Sequence, residues 1–315
     1  MKTKLGYILV FILMVLFGCD RKDKTVTEPH IGSPKKPEKT YLTEKQIQTH
    51  VDKEINLAID LGNENIIQEA ADVIALTRSG ISSILNEKYA DAIENIDKAL
   101  AKADLIIRSD HPTKIISEVN IEVIDRVENA EEATEIILNI DSLMELGELQ
   151  QAKNLMTKLT SELRITRESI SISDYYKILK NANQLLKEKE REKALRELNS
   201  MLSGITIERS ITPLPLIIAQ KMVNEMEKLT NNESPEKEDI LVILNNARYQ
   251  IRFSEMLGYG KTEEEYQHIY NRINEIETRL NENNFSGVKK RIQDIDGSLK
   301  QLQSDISVYT KVNSL

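Results

Sequence analysis

Apolar residues recur every three or four positions along most of the chain, the spacing that lines one face of an α-helix. Thr43 and Gln46 make a capping-box pattern ahead of Ile47, Val51, Ile55 and Ile59, and Gly62 predicts the stop of that helix. Further helical patterns run through 64–85, 88–107, 125–146, 148–163, 174–187, 191–203, 215–230 and 238–257. Gly147 is placed as a helix C-terminal signal, and Pro213 and Pro215 fit only the first turn of a helix.

A second period interrupts the first. Residues 118–123, 164–172 and 205–211 are rich in β-branched side chains alternating with polar ones, and each follows a pair of helical stretches. The pattern is an irregular helix–helix–extended repeat, whose extended pieces are short strands or straight connectors. It touches the tetratricopeptide pattern: Gly80 and Ala92, like Ala182 and Ala194, lie twelve residues apart, where small residues let two helices approach closely. Successive units are spaced unevenly, so the expectation is tetratricopeptide-like hairpins and not a regular solenoid.

The C-terminal region has the strictest period. Tyr266, Ile269, Ile273, Ile276 and Leu280 step by 3 and 4, and Val288, Ile292, Ile295, Leu299, Leu302, Ile306 and Tyr309 continue the seam. Residues 282–287 supply Asn and Gly for a reversal between them. A heptad hairpin packed on the body is one reading, and oligomerisation or capture of a partner helix is the other. The expected fold class is therefore mainly α: irregular helical hairpins, short extended or β segments, and a C-terminal heptad hairpin.

The first 18 residues belong to no such element. Lys2 and Lys4 precede an apolar run from Leu5 to Phe17, then Gly18 and Cys19. That run is too short to span a bilayer and fits a cleaved signal peptide, while Leu16-Phe17-Gly18-Cys19 looks like a bacterial lipobox. The expectation is a lipidated Cys19 holding the protein to a membrane, with the folded part outside the cytoplasm in the bacterial cell envelope. Cys19 is the only cysteine of 315 residues, so the exported body has neither a disulfide nor a thiol nucleophile. Residues 20–42 carry Pro29, Pro34 and Pro37 without apolar periodicity and read as a disordered tether. The domain boundaries that follow are 1–18 for the signal, 19–42 for anchor and tether, 43–261 for a helical domain and 262–315 for the heptad hairpin.

Charge narrows the partners. The formal charge is −9, and removing residues 1–18 takes away two lysines and no acid, leaving −11. Such a body lacks the basic surface that displaces counterions from phosphates, so nucleic acid is not an expected partner. The surface is equally unsuited to anionic headgroups, which leaves the lipid as the membrane attachment.

Catalytic and metal patterns do not appear. His30, His50, His111 and His268 are scattered, with no HExxH or other ligand spacing, and GxSxG, P-loop and GxGxxG are missing. No catalytic residue, metal site or cofactor is expected. Glu263–Glu265 follows Thr262, where acidic side chains suit a helix start and Thr262 with Glu265 forms another capping box.

What remains is an arginine–tyrosine cluster. Arg248, Tyr249, Arg252, Tyr259, Tyr266 and Tyr270 fall within 23 residues in a chain without tryptophan. Arg248 and Arg252 are one helical turn apart, so their guanidiniums can hold an anion between them, with Tyr259 across the mouth of a groove. The competing reading makes Tyr249 and Phe253 core residues and the two arginines surface or ion-paired groups. Arg248, Tyr249, Arg252 and Tyr259 are the candidate residues for binding a ligand or partner.

The order of TPLPL (212–216), ARYQ (247–250) and LGYGKTEEEY (257–266) resembles the YfdX family. The likeness covers roughly 65–279 and is weaker upstream, at residues 121–125. It implies a mostly helical exported bacterial protein that oligomerises, has no established catalytic site, and is associated in enteric bacteria with envelope, acid and drug stress. The lipobox, the tether and the helix at 285–310 depart from the family pattern. Together these readings predict a non-enzymatic, membrane-tethered binding or interaction protein with a protein partner or a second copy of itself. The alternative is a small-molecule sensor or sequestering protein using the arginine–tyrosine groove.

Overall fold

The computed structural model describes residues 34–64, 66–109, 114–231, 236–260, 262–307 and 312–313. The expected signal segment, Cys19 and tether residues 20–33 lie outside the described residues, as do His111 and Tyr309. The described residues belong to one compact unit, Ser33–Leu315.

Helix α1 (Glu44–Glu64) starts at the expected capping box: the Thr43 N–H donates to Gln46 Oε1 at 2.9 Å and the Gln46 N–H to Thr43 Oγ1 at 3.3 Å. It does not stop at Gly62. A Cβ at Gly62 would stand 3.0 Å from Val119 Cγ1, so this glycine serves the close approach of α1 to the sheet rather than a helix end.

Two helical hairpins form as the sequence predicts. The first is α2 (Gln68–Leu85) with α3 (Tyr89–Arg108). A Cβ at Gly80 would meet Ile96 Cδ1 at 2.7 Å, and Ala92 across from it is fully buried. The second is α6 (Ile172–Lys187) with α7 (Arg191–Ser203), joined through buried Ala182 and Ala194. Both hairpins share one core with Ile115 and Ile170.

The extended pieces pair as a sheet. Strands β1 (Lys114–Asp125), β2 (Ser161–Ser171) and β3 (Thr206–Pro213) are antiparallel neighbours, with Asn120 opposite Thr166 and Thr166 opposite Arg209. A two-residue strand, β4 (Val312–Asn313), continues the order on β3. Helical hairpins, not tight turns, connect these strands: α4 (Ala130–Glu145) and α5 (Leu149–Met156) lie between β1 and β2, and α6 and α7 between β2 and β3. Two helical patterns are shortened as a result. The one at 125–146 begins only at Ala130 and the one at 148–163 ends at Met156, because Asp125 pairs with Ser161 and Val123 with Leu163 in the sheet. Cross-strand hydrogen bonding overrides helix periodicity at these ends.

One face of the sheet meets α1 through Val51, Ile55, Ala58, Ile121, Leu163 and Ile165. Beyond it, α8 (Leu214–Thr230), α9 (Lys237–Met256), α10 (Glu263–Asn281) and α11 (Val288–Ile306) make a second core. Pro213 and Pro215 open α8 as expected. The heptad hairpin is intramolecular: Ile269, Ile273, Ile276, Leu280, Ile292, Ile295 and Leu299 are all buried against α8 and α9. Thr262 and Glu265 form the predicted capping box of α10.

Residues 34–42, which the sequence assigns to the tether, pack on the body. Leu42 is buried in the same core as the heptad seam, and residues 34–39 lie over α9 and α10 as one wall of a cleft. A burial partner for Leu42 exists only once the C-terminal helices are assembled, so no periodicity near residue 42 announces it.

Candidate binding groove at the arginine–tyrosine cluster

Arg248, Tyr249 and Arg252 project from the middle of α9, and Tyr266 and Tyr270 from the first turns of α10. The α9–α10 turn holds Tyr259 between Gly258 and Gly260, whose φ values are 80° and 102°. Both glycines therefore sit where an L side chain is strained. At Gly260 space is short as well: a Cβ would come within 2.8 Å of Tyr266 Cε2.

The two arginines pair with different carboxylates. Arg248 pairs with Glu277 at 2.5 Å and reaches Asn245 Oδ1 at 2.8 Å. Arg252 pairs with Glu255 at 2.7 Å, and the Tyr270 hydroxyl donates to the same carboxylate oxygen at 2.7 Å. Each guanidinium thus has its own carboxylate, the ion-paired arrangement of the competing reading. Burial works against the charge on Arg252, but Glu255 and Tyr270 outweigh it and raise the guanidinium above its ordinary value. Burial, followed by the neighbouring carboxylate, pushes the Tyr270 hydroxyl up.

The tyrosines act as struts. The Tyr249 hydroxyl accepts the Ala130 N–H at 3.1 Å and donates to Glu131 Oε2 at 3.1 Å, satisfying the first turn of α4, which Asn129 also caps through Glu132 N–H. Burial raises it to about 12. Tyr259 repeats the arrangement on the sheet, accepting the Ser161 N–H at 3.0 Å and donating to Glu162 Oε2 at 2.9 Å. Tyr266 in turn donates to the Tyr259 carbonyl at 2.6 Å. Tyr249 and Phe253 belong to a small core with Val127 and Ala133, as the competing core reading anticipates, and the partly buried Tyr259 packs against it.

A cleft of about 740 Å³ nevertheless opens at this cluster. Its floor is Val242, Asn245, Arg248, Tyr249 and Arg252 of α9 with Tyr270 and Asn274 of α10, and its wall is residues 34–39. Three of the four predicted residues line it; Tyr259 does not, being turned into the strut to β2. The sequence reading also missed the partners that fix the site. Glu131 accepts the Lys36 N–H at 3.1 Å, and Asn246 Nδ2 donates to the Lys39 carbonyl at 2.9 Å. Burial opposes ionisation of Glu131, yet the backbone N–H groups and Tyr249 that donate to it hold its carboxyl below the ordinary range. The only sequence signal for the wall is the three-residue spacing of Pro34 and Pro37.

Among the described residues, no group of three or more His, Cys, Asp or Glu side chains could hold a metal ion. No described helix is long and apolar enough to cross a membrane.

Comparison with known proteins gives one family. The YfdX protein family model matches residues 73–211, from α2 to near the end of β3. The match ends one residue before TPLPL, so the motifs at 212–216, 247–250 and 257–266 lie outside it. A solved structure similar to the chain is Salmonella Typhi YfdX, at 16% identity over 47% of this chain and 93% of that one, with a TM-score of 0.34. No curated protein matches the chain.

Proposed function

We propose that this chain, whose residues 73–211 match the YfdX family model, is a non-enzymatic binding protein of the bacterial cell envelope, held to a membrane through lipidated Cys19. The observation that carries the reading is the 740 Å³ cleft, walled by the segment that leads back towards Cys19. The ionisable side chains of its floor are engaged with carboxylates around it, Arg248 with Glu277, Arg252 and Tyr270 with Glu255, and Tyr249 with Glu131. Groups spent in this way shape and rigidify a surface; proton transfer asks for a group held at its working value and aimed at a substrate. A protein partner or a second copy of the chain is the occupant of this reading, and the envelope, acid and drug stress implied by the family is its setting.

The cleft volume also favours a second reading. Small-molecule sites run at about 300–1,000 Å³ with mostly apolar walls and a few polar groups, and Val242, Tyr249 and Tyr270 with Asn245 and Asn274 make such a lining. A sensor or sequestering role would use that lining directly.

One experiment tests the first reading. A photo-crosslinking side chain placed at Asn245, inside the cleft, is expected to form a discrete protein adduct in intact membranes of cells carrying wild-type Cys19. It is expected to lose that adduct with Cys19→Ser, which also abolishes palmitate labelling. Retained labelling in Cys19→Ser would end the lipoprotein reading; equal adducts with and without the anchor would end the membrane-tethered one.

A further inference from the structure

Residues 34–39 read Pro-Lys-Lys-Pro-Glu-Lys and have neither helical nor strand structure. Pro34 and Pro37 are half-buried, while Lys35, Lys36, Glu38 and Lys39 are exposed. A three-residue alternation of buried and exposed positions is the period of a polyproline II helix, which turns every third side chain to the same side. The surface beneath offers what proline-rich segments dock on: tyrosine side chains, here Tyr249 and Tyr270, and side-chain groups that bond the exposed main chain. Asn246 holds the Lys39 carbonyl and Glu131 holds the Lys36 N–H, at 2.9 and 3.1 Å. Glu255 and Glu277 are held by Arg252 and Arg248, but Glu131 has no arginine partner and feels the charge of Lys36, on a chain of formal charge −9, which suits the lysines of the segment.

The fit is incomplete. Leu42 is buried in the main core, but 34–39 leaves the 740 Å³ cleft open between itself and the helices. We propose that the α9–α10 groove is a binding site for a lysine-bearing Pro-x-x-Pro segment of a partner protein, and that residues 34–39 occupy it in cis as a competitor. The proposal rests on the binding-protein reading above and names its partner's chemistry. A segment joined to its own site competes at an effective concentration in the millimolar range. The intact chain therefore masks the groove, and displacing the strap exposes it.

The test uses the full chain in detergent and a fluorescent peptide of the sequence of residues 33–40, with a scrambled peptide as control. Pro34→Ser combined with Pro37→Ser removes the two half-buried rings, and Lys36→Pro separately removes the N–H that Glu131 accepts without touching the core. Each is expected to bind the peptide roughly tenfold more tightly than the wild-type chain. Adding Asn246→Leu should return the affinity to that of the scrambled control, with the melting temperature followed for every variant. Absence of saturable binding in both folded strap variants, or equal binding of the scrambled peptide, overturns the proposal. Peptide binding without a membrane adduct at Asn245 would fail the tethered-partner reading alone, and an adduct without peptide binding would fail this one alone.

Discussion

The hairpin and sheet region, 66–213, and the C-terminal helices, 214–306, use the same helical period to opposite ends. In the first, the helices meet through Ala70, Ala92, Ala99, Ala103, Ala182 and Ala194, with Gly80 pressed on Ile96. In the second, large side chains interlock: Leu216, Met226, Ile243, Leu244 and the heptad seam of α10 and α11. Small residues bring backbones close and leave no room for added atoms, whereas a seam of large ones suffers most from a lost or charged side chain. The two halves are therefore expected to fail under opposite substitutions.

The largest effect is expected in the seam. Ile295→Asp puts an unpaired carboxylate where Ile295 is 1% exposed and should cost about 3 kcal/mol or more. Denaturant unfolding measures it, and an unchanged midpoint would mean that the seam is not buried. Ala92→Leu tests the other half. It forces three extra carbons into the contact between α2 and α3, for about 1–3 kcal/mol of destabilisation. If it is neutral while Ile295→Asp unfolds the protein, the hairpins are not close-packed through their alanines.

The strut between the halves comes next. Tyr259→Phe keeps the ring but takes the hydroxyl from the Ser161 N–H and from Glu162 Oε2, Glu162 keeping Arg164, so the melting temperature should fall by an amount equivalent to about 1–2 kcal/mol. The expectation from sequence instead puts Tyr259 across the mouth of a groove. At the neighbouring glycines, Gly260→Ala should cost about 1 kcal/mol more than Gly258→Ala. Both have positive φ, but only the Gly260 Cβ would strike Tyr266. Equal melting temperatures for the two would show that φ alone sets the cost.

The smallest effect is a titration. Glu131 has a folded-state value below its ordinary 4.5, so the strap contact it makes is fully present above pH 4.5 and is lost as pH falls through the lowered value. The Lys36 amide resonance should follow that loss, with a midpoint below 4.5. A midpoint at or above it would show that Glu131 does not hold the strap.

Local pattern and long-range placement divide the molecule's features cleanly. The helical hairpins, the capping boxes at Thr43 and Thr262, the opening of α8 at Pro213 and Pro215, and the heptad seam are each written within a few turns of chain. Local periodicity and local hydrogen bonds are enough to specify them. Within the arginine–tyrosine cluster the sequence likewise placed Arg248, Tyr249 and Arg252 at one site, because they share a helix. Their partners were decided elsewhere: Glu131 lies 118 residues from Tyr249, Glu162 lies 97 from Tyr259, and the Lys39 carbonyl lies 207 from Asn246. The same holds for the pairing of β1 with β2, which cut two helical patterns short, for Gly62, and for Leu42. Residues far apart in the chain meet only after the two cores assemble, and a polar group finds its nearest carboxylate or carbonyl from the tertiary arrangement and not from its own neighbours in sequence.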